Sequence, residues 1–206
     1  MTQAALIWAA LAAAICVPIA AAAASPLLEW RGPIYILGGF AGIIGLGVLL
    51  VQPLLIGGYL PGPSAYRSRR THLWIGCVLV VAVVVHVVGL WITSPPDMID
   101  ALLLTSPTPF SVFGVIAMWA IFAIAFLVAL RRRLRLRPRT WRIAHTLLAV
   151  VIIVGSVVHA LLIEGAMETV SKAALCALVL AATIKVVADL RVWRRGPTAR
   201  GERVAQ

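Results

Sequence analysis

Charge is scarce in this chain: 12% of its 206 residues are Asp, Glu, Lys or Arg, and only 7 are acidic. Soluble domains carry about 25% charged residues. Here 62% of residues are hydrophobic and the mean hydropathy is +1.03, which excludes a soluble globular class. Cysteine is sparse as well. Cys16, Cys77 and Cys176 stand far apart within apolar runs, without the paired spacing of a zinc site or the CxxCH of an attached haem, so they read as packing residues.

What the sequence does have is long apolar runs. A helix crosses about 30 Å of hydrocarbon in roughly 20 residues, and six runs reach that length: about 4–24, 33–56, 72–93, 110–130, 141–163 and 169–190. Unbroken runs favour helices, since a transmembrane barrel would show short alternating segments. The expected fold is an all-α membrane protein, a six-transmembrane-helix bundle. Residues 1–193 form its single domain and 194–206 a short basic tail. The first run ends in Ala20 to Ser25, which resembles a signal-peptidase site, but no Lys or Arg precedes Arg31, so a retained helix is expected.

The cations set an orientation. Arg67, Arg69 and Arg70 precede the third run; Arg131, Arg132, Arg133, Arg135, Arg137, Arg139 and Arg142 gather between the fourth and fifth; Arg191, Arg194, Arg195, Arg200 and Arg203 follow the sixth. These segments fall on one side, and short arginine-rich loops stay cytoplasmic. The opposite side holds only Arg31 and Lys172 as cations, beside Glu29, Asp97, Asp100, Glu164 and Glu168. Both termini are therefore expected in the cytoplasm, with the protein multi-pass in a cell inner (plasma) membrane. The net charge of +11 follows from this sorting, and nucleic acid is not an expected partner.

Four histidines carry the chemistry. An ionisable side chain inside a membrane span is costly and is a functional candidate by default, and all four lie in runs. His72 and His86 are fourteen positions apart on the third run, His145 and His159 fourteen apart on the fifth. At about 100° per residue, such a pair faces one side of its helix, separated by about 21 Å along the axis. The two runs are parallel, so His72 lies level with His145 and His86 with His159. Each level offers two opposed imidazoles, a donor set that fills both axial positions of a haem iron and suits electron transfer. Zinc would require ligands converging on one point, and a proton relay does not require equal spacing. The expected cofactors are two haem b groups.

The flanking residues repeat too, as R-x2-H-x13-H. Haem propionates are anionic, so Arg69, Arg70 and Arg142 are candidates to pair with them; setting topology uses the same positions. Gly76, Gly155 and Ser156, near the histidines, would admit a flat macrocycle or serve ordinary packing. Gly38 and Gly42 have the small-xxx-small spacing of close helix contacts. Trp74, Trp91 and Trp141 lie near run ends, as interfacial aromatics do.

RSRRTHLWIGCVLVVAVVVHVV and RTWRIAHTLLAVVIIVGSVVHALL, within roughly Pro33 to Leu190, resemble the ferric reductase-like transmembrane domain family. That family includes ferric reductases, NADPH oxidases and the haem-binding membrane subunit of the periplasmic methionine-sulfoxide reductase system. The resemblance implies an inner haem on His72 and His145 and an outer haem on His86 and His159. Many members continue into a flavin and nicotinamide module. Only thirteen residues follow Trp193, and no G-x-G-x-x-G turn is present, so the expected role is the haem-bearing membrane subunit of an oxidoreductase.

The electron donor is then separate: a flavoprotein reductase, a bound flavin, or membrane quinol or quinone. The acceptor is ferric iron, oxygen or a periplasmic redox partner, reached past Asp97 and Asp100 on the outer loop. A quinol-linked diheme cytochrome b is the alternative. A transporter or proton channel fits less well, because inverted repeats and intramembrane acids are not evident.

Overall fold

Proline and small polar residues mark where each helix begins. Pro33, Pro95, Pro109 and Pro138 occupy first turns, where the missing N–H has no intrahelical role. Ser64 and Glu168 cap two further helices through their side chains. The computed structural model describes residues 2–190, apart from the Arg132 side chain. It contains six long helices and one short one: α1 (Gln3–Ala23), α2 (Pro33–Gly57), α3 (Ala65–Thr93), the short α4 (Pro95–Leu102), α5 (Pro109–Leu134), α6 (Pro138–Leu162) and α7 (Thr169–Asp189). All six long helices have the length and apolarity to cross a bilayer, so the protein is a multi-pass membrane protein. The arginines from Arg191 onward, and the expected tail, lie outside the described residues.

Several boundaries differ from the apolar runs. α3 starts at Ala65 and α6 at Pro138, ahead of His72 and Trp141, because helix continues past the hydrophobic stretch into arginine-bearing turns. Arg67, Arg69, Arg70, Arg139 and Arg142 are thus helical. α5 likewise runs through Arg131 to Leu134 and stops where Arg135 turns left-handed, at φ 45°. The segment between α3 and α5 is not all loop, since it holds α4 with Asp97 in its first turn.

The bundle is built from two close antiparallel pairs. α2 packs along α3 and α5 along α6, with α7 bridging α2 and α6, and α1 lying against α2 and α7. Glycine permits both close approaches: a Cβ on Gly89 would meet the Gly38 Cα at 3.1 Å, and one on Gly155 would meet the Phe113 carbonyl oxygen at 2.9 Å. Gly155 therefore serves helix packing. The core joins Leu46, Leu49 and Leu50 of α2 to Leu79, Ile121, Ile152 and Val179 of the other helices. Leu79 and Ile152 each stand seven residues from both histidines of their helix, so apolar packing fills the middle of the bundle. Leu37, Val81, Phe126 and Ile184 are more than half exposed, outward faces that hydrocarbon covers.

Glu168 ties down the start of α7. Its carboxylate accepts from the backbone N–H groups of Ser171 and Val170, each at 2.7 Å, and these bonds hold its carboxyl below the ordinary glutamate range. Because the folded value is depressed, this stabilisation is present above the unfolded pKa and is lost as pH falls through the folded one. Glu168→Ala should lower the melting temperature at neutral pH, with the difference from the parent protein closing on acidification. Thermal unfolding in detergent at pH 7 and pH 4 checks this.

Candidate functional site

All four histidines point into the bundle, and they meet as two pairs. The rings of His72 and His145 stand 6.1 Å apart between centroids, and those of His86 and His159 6.3 Å, with planes crossing at 63° and 83°. Parallel α3 and α6 bring the equal spacings level, as their sequence registers imply.

The flanking helices orient the rings. On α3, His86 Nδ1 lies 2.8 Å from the Gly38 carbonyl oxygen and His72 Nδ1 lies 3.3 Å from that of Gln52. On α6, His159 Nδ1 lies 2.9 Å from the Phe110 carbonyl oxygen. A carbonyl only accepts, so Nδ1 carries the proton and donates in each case, leaving Nε2 with a lone pair. Gly38 and Gln52 are themselves fourteen residues apart on α2, so the histidine spacing has a matching spacing of backbone acceptors on the antiparallel neighbour.

Glycine makes room for two of these contacts. A Cβ at Gly42 would stand 2.9 Å from His86 Nδ1, and one at Gly114 2.7 Å from His159 Nδ1. Each glycine lies one turn beyond the carbonyl that accepts the bond, so the ring rests on bare helix backbone. Gly42 was visible in the sequence only as half of a helix-contact motif, and Gly114, the single glycine of α5, carried no signal by itself. A Cβ at Gly76 would meet the Gln52 side-chain nitrogen at 3.4 Å, and no histidine ring lies within 4 Å of it.

His145 is held differently. Trp141, one turn before it, stacks on its ring with centroids 5.5 Å apart and planes at 21°, and the Arg131 guanidinium lies 4.7 Å over Trp141. Its Nδ1 is buried without a hydrogen-bond partner among the described residues, as is the Gln52 Oε1. Trp141 is thus more than an interfacial aromatic.

A cavity of about 500 Å³, within the range of ligand sites, opens at one level of the bundle with His86 and His159 on its walls. Gly42, Gly114, Ser156 and Lys172 also line it, as do Asp97 and Asp100. Arg69, Arg70 and Arg142 are exposed on the arginine-rich ends of α3 and α6, three, two and three positions before the inner histidines.

The donor set can be tested against a metal. An ion bonded to imidazole nitrogens at about 2.0–2.1 Å on each side separates two ring centroids by roughly 6.3 Å, which matches both gaps. Three or more metal-binding side chains do not converge anywhere among the described residues. Two-ligand sites, with the remaining positions supplied by a cofactor, fit this arrangement.

Residues 39–156, more than half of the chain, match the family model described as ferric reductase like transmembrane component. That stretch contains His72, His86 and His145 and ends three residues before His159. No characterised protein and no solved structure matches the chain.

Proposed function

The chain belongs to the ferric reductase-like transmembrane family, and from that premise we propose that it conducts electrons across a bilayer through two b-type haems, between His72 and His145 and between His86 and His159. Domains of this family generally bind haem and usually work with a separate or fused electron donor. The observation that carries the reading is the pair of matched imidazole gaps, at 6.1 and 6.3 Å, on two parallel helices. His72 with His145, and His86 with His159, would each hold a b-type haem, which would supply one-electron chemistry.

The residues of the chain do the positioning. Backbone carbonyls of Gly38, Gln52 and Phe110 fix three of the imidazoles as Nδ1–H tautomers, which presents Nε2 to the gap and increases its basicity as a ligand. The Trp141 stack restrains the fourth ring. Leu79, Ile121 and Ile152 keep the middle of the bundle apolar and exclude water between the two levels. Arg69, Arg70 and Arg142, exposed two or three residues before His72 and His145, would pair with carboxylates of a group held there, since guanidinium groups suit that pairing.

The two levels are about 21 Å apart along the helices. Electrons enter from a separate donor at the arginine-rich face, a flavoprotein reductase with bound flavin or membrane quinol, and leave at the face carrying Asp97 and Asp100. The acceptor there is ferric iron, oxygen or a periplasmic redox enzyme. On this reading the arginine-rich face is cytoplasmic.

A reduced-minus-oxidised optical spectrum of the purified protein, with a haem-to-protein count, tests the proposal. A b-type spectrum with a ratio near two is the expected result. A protein purified folded with no b-type signal sinks it.

A further inference from the structure

The outer cavity contains a cation that neither the histidine pairs nor the topology uses. Lys172, on the first turn of α7, is only 6% exposed and lines the same cavity as His86 and His159. Its ammonium donates to the Ile163 carbonyl at 2.8 Å, at the end of α6, where an unsatisfied carbonyl and the helix dipole both favour a cation. An ammonium has three donors, so this bond leaves two. The ion pair found among the described residues is Lys185 with Asp189, so no described carboxylate is in ion-pair contact with Lys172. Asp97 and Asp100 reach the cavity from exposed positions on α4.

A buried ammonium with one neutral acceptor is expensive, and its cost falls sharply when an anion meets it with good geometry. The wall that Lys172 shares with the outer histidines makes the cavity itself the source of that anion. We propose that Lys172 binds a carboxylate of the group seated between His86 and His159, a propionate of the outer haem, and thereby positions that group and raises its reduction potential. This rests on the haem reading above. The sign follows from charge: a fixed cation favours the state that has gained an electron.

Topology supplies an independent reason to look here. The arginines proposed for the inner level, Arg69, Arg70 and Arg142, are grouped near the same ends of α3 and α6, and among the described residues Lys172 is the only Lys or Arg lining the outer cavity. A haem carries propionates at either level, so the outer level needs its own cation.

The test compares haem content and redox titrations of the purified full chain with those of Lys172→Met, Lys172→Gln and Lys172→Arg. Loss of the charge should lower the outer reduction equilibrium constant roughly tenfold, which is about 59 mV for one electron, while Lys172→Arg restores it. Lys172→Gln removes the charge but keeps an N–H donor for the Ile163 end of α6, so it carries the comparison if Lys172→Met fails to fold.

The same substitutions placed in a His86→Ala background, which keeps only the inner haem, should leave the remaining potential unmoved. Wild-type potentials and haem content in both Lys172→Met and Lys172→Gln would overturn the proposal and leave Lys172 as a helix cap. A parent protein without any b-type spectrum would instead overturn the haem reading itself, which the parent spectrum reports before any variant is made.

Discussion

His86→Ala should leave a folded, membrane-inserted protein with about one haem in place of about two, and electron delivery across proteoliposomes at the level of haem-free vesicles. The expectation follows from where the side chain sits. His86 faces His159 across 6.3 Å and is held there by the Gly38 carbonyl, so its removal would take one of the two imidazoles that would hold the group and leave the Gly38 carbonyl with nothing to orient. The inner pair lies fourteen residues away on both helices, beyond Leu79 and Ile152, and should keep its haem. A titration showing one remaining b-type component, with reduction from the inner face intact and delivery to an outer acceptor abolished, is the anticipated pattern. Undiminished delivery in this variant would mean that the outer pair is not on the route.

Gly114→Ala is the second large effect, from the smallest change available. The new methyl would stand 2.7 Å from His159 Nδ1 and 2.9 Å from Cε1, closer than such contacts tolerate. Either the ring leaves the Phe110 carbonyl or α5 and α6 separate. Over-packing of this kind costs about 1–3 kcal/mol, and losing the bond that orients a ligand typically lowers metal affinity about 10–100-fold.

The outer haem of Gly114→Ala should therefore dissociate more readily than the inner one, read by haem transfer to apomyoglobin. Gly32→Ala is the control: its Cβ would meet nothing within 4 Å, and the residue lies off the cavity. Equal haem retention in both variants would show that the close contact at His159 has no bearing on binding.

The inner and outer levels are not equivalent in their second layer of contacts, despite identical histidine spacing. His72, His86 and His159 each donate to a backbone carbonyl, whereas His145 stacks on Trp141 and its Nδ1 has no partner among the described residues. The acceptor spacing is complete on α2, at Gly38 and Gln52, and incomplete on α5. Nothing in R-x2-H-x13-H predicts this difference, because it depends on which neighbouring groups each ring meets.

The sequence by itself determined the solvent, the number of spans and the histidine register. Apolar runs of about 20 residues have one stable solution in hydrocarbon, a helix that satisfies its own backbone, and a fourteen-residue repeat on two parallel helices fixes which imidazoles share a level. Helix ends were less legible: α3 and α6 continue into arginine-bearing turns, because a helix once nucleated propagates past its apolar stretch until a cap or proline stops it. Only the tertiary structure decided which helices flank the histidines, that Gly42 and Gly114 lie under two of the rings, that Trp141 covers a third, and that Lys172 enters the outer cavity. These are contacts between residues far apart in the chain. A helix fixes the direction of its own side chains, but which backbone or cavity they meet depends on packing with its neighbours.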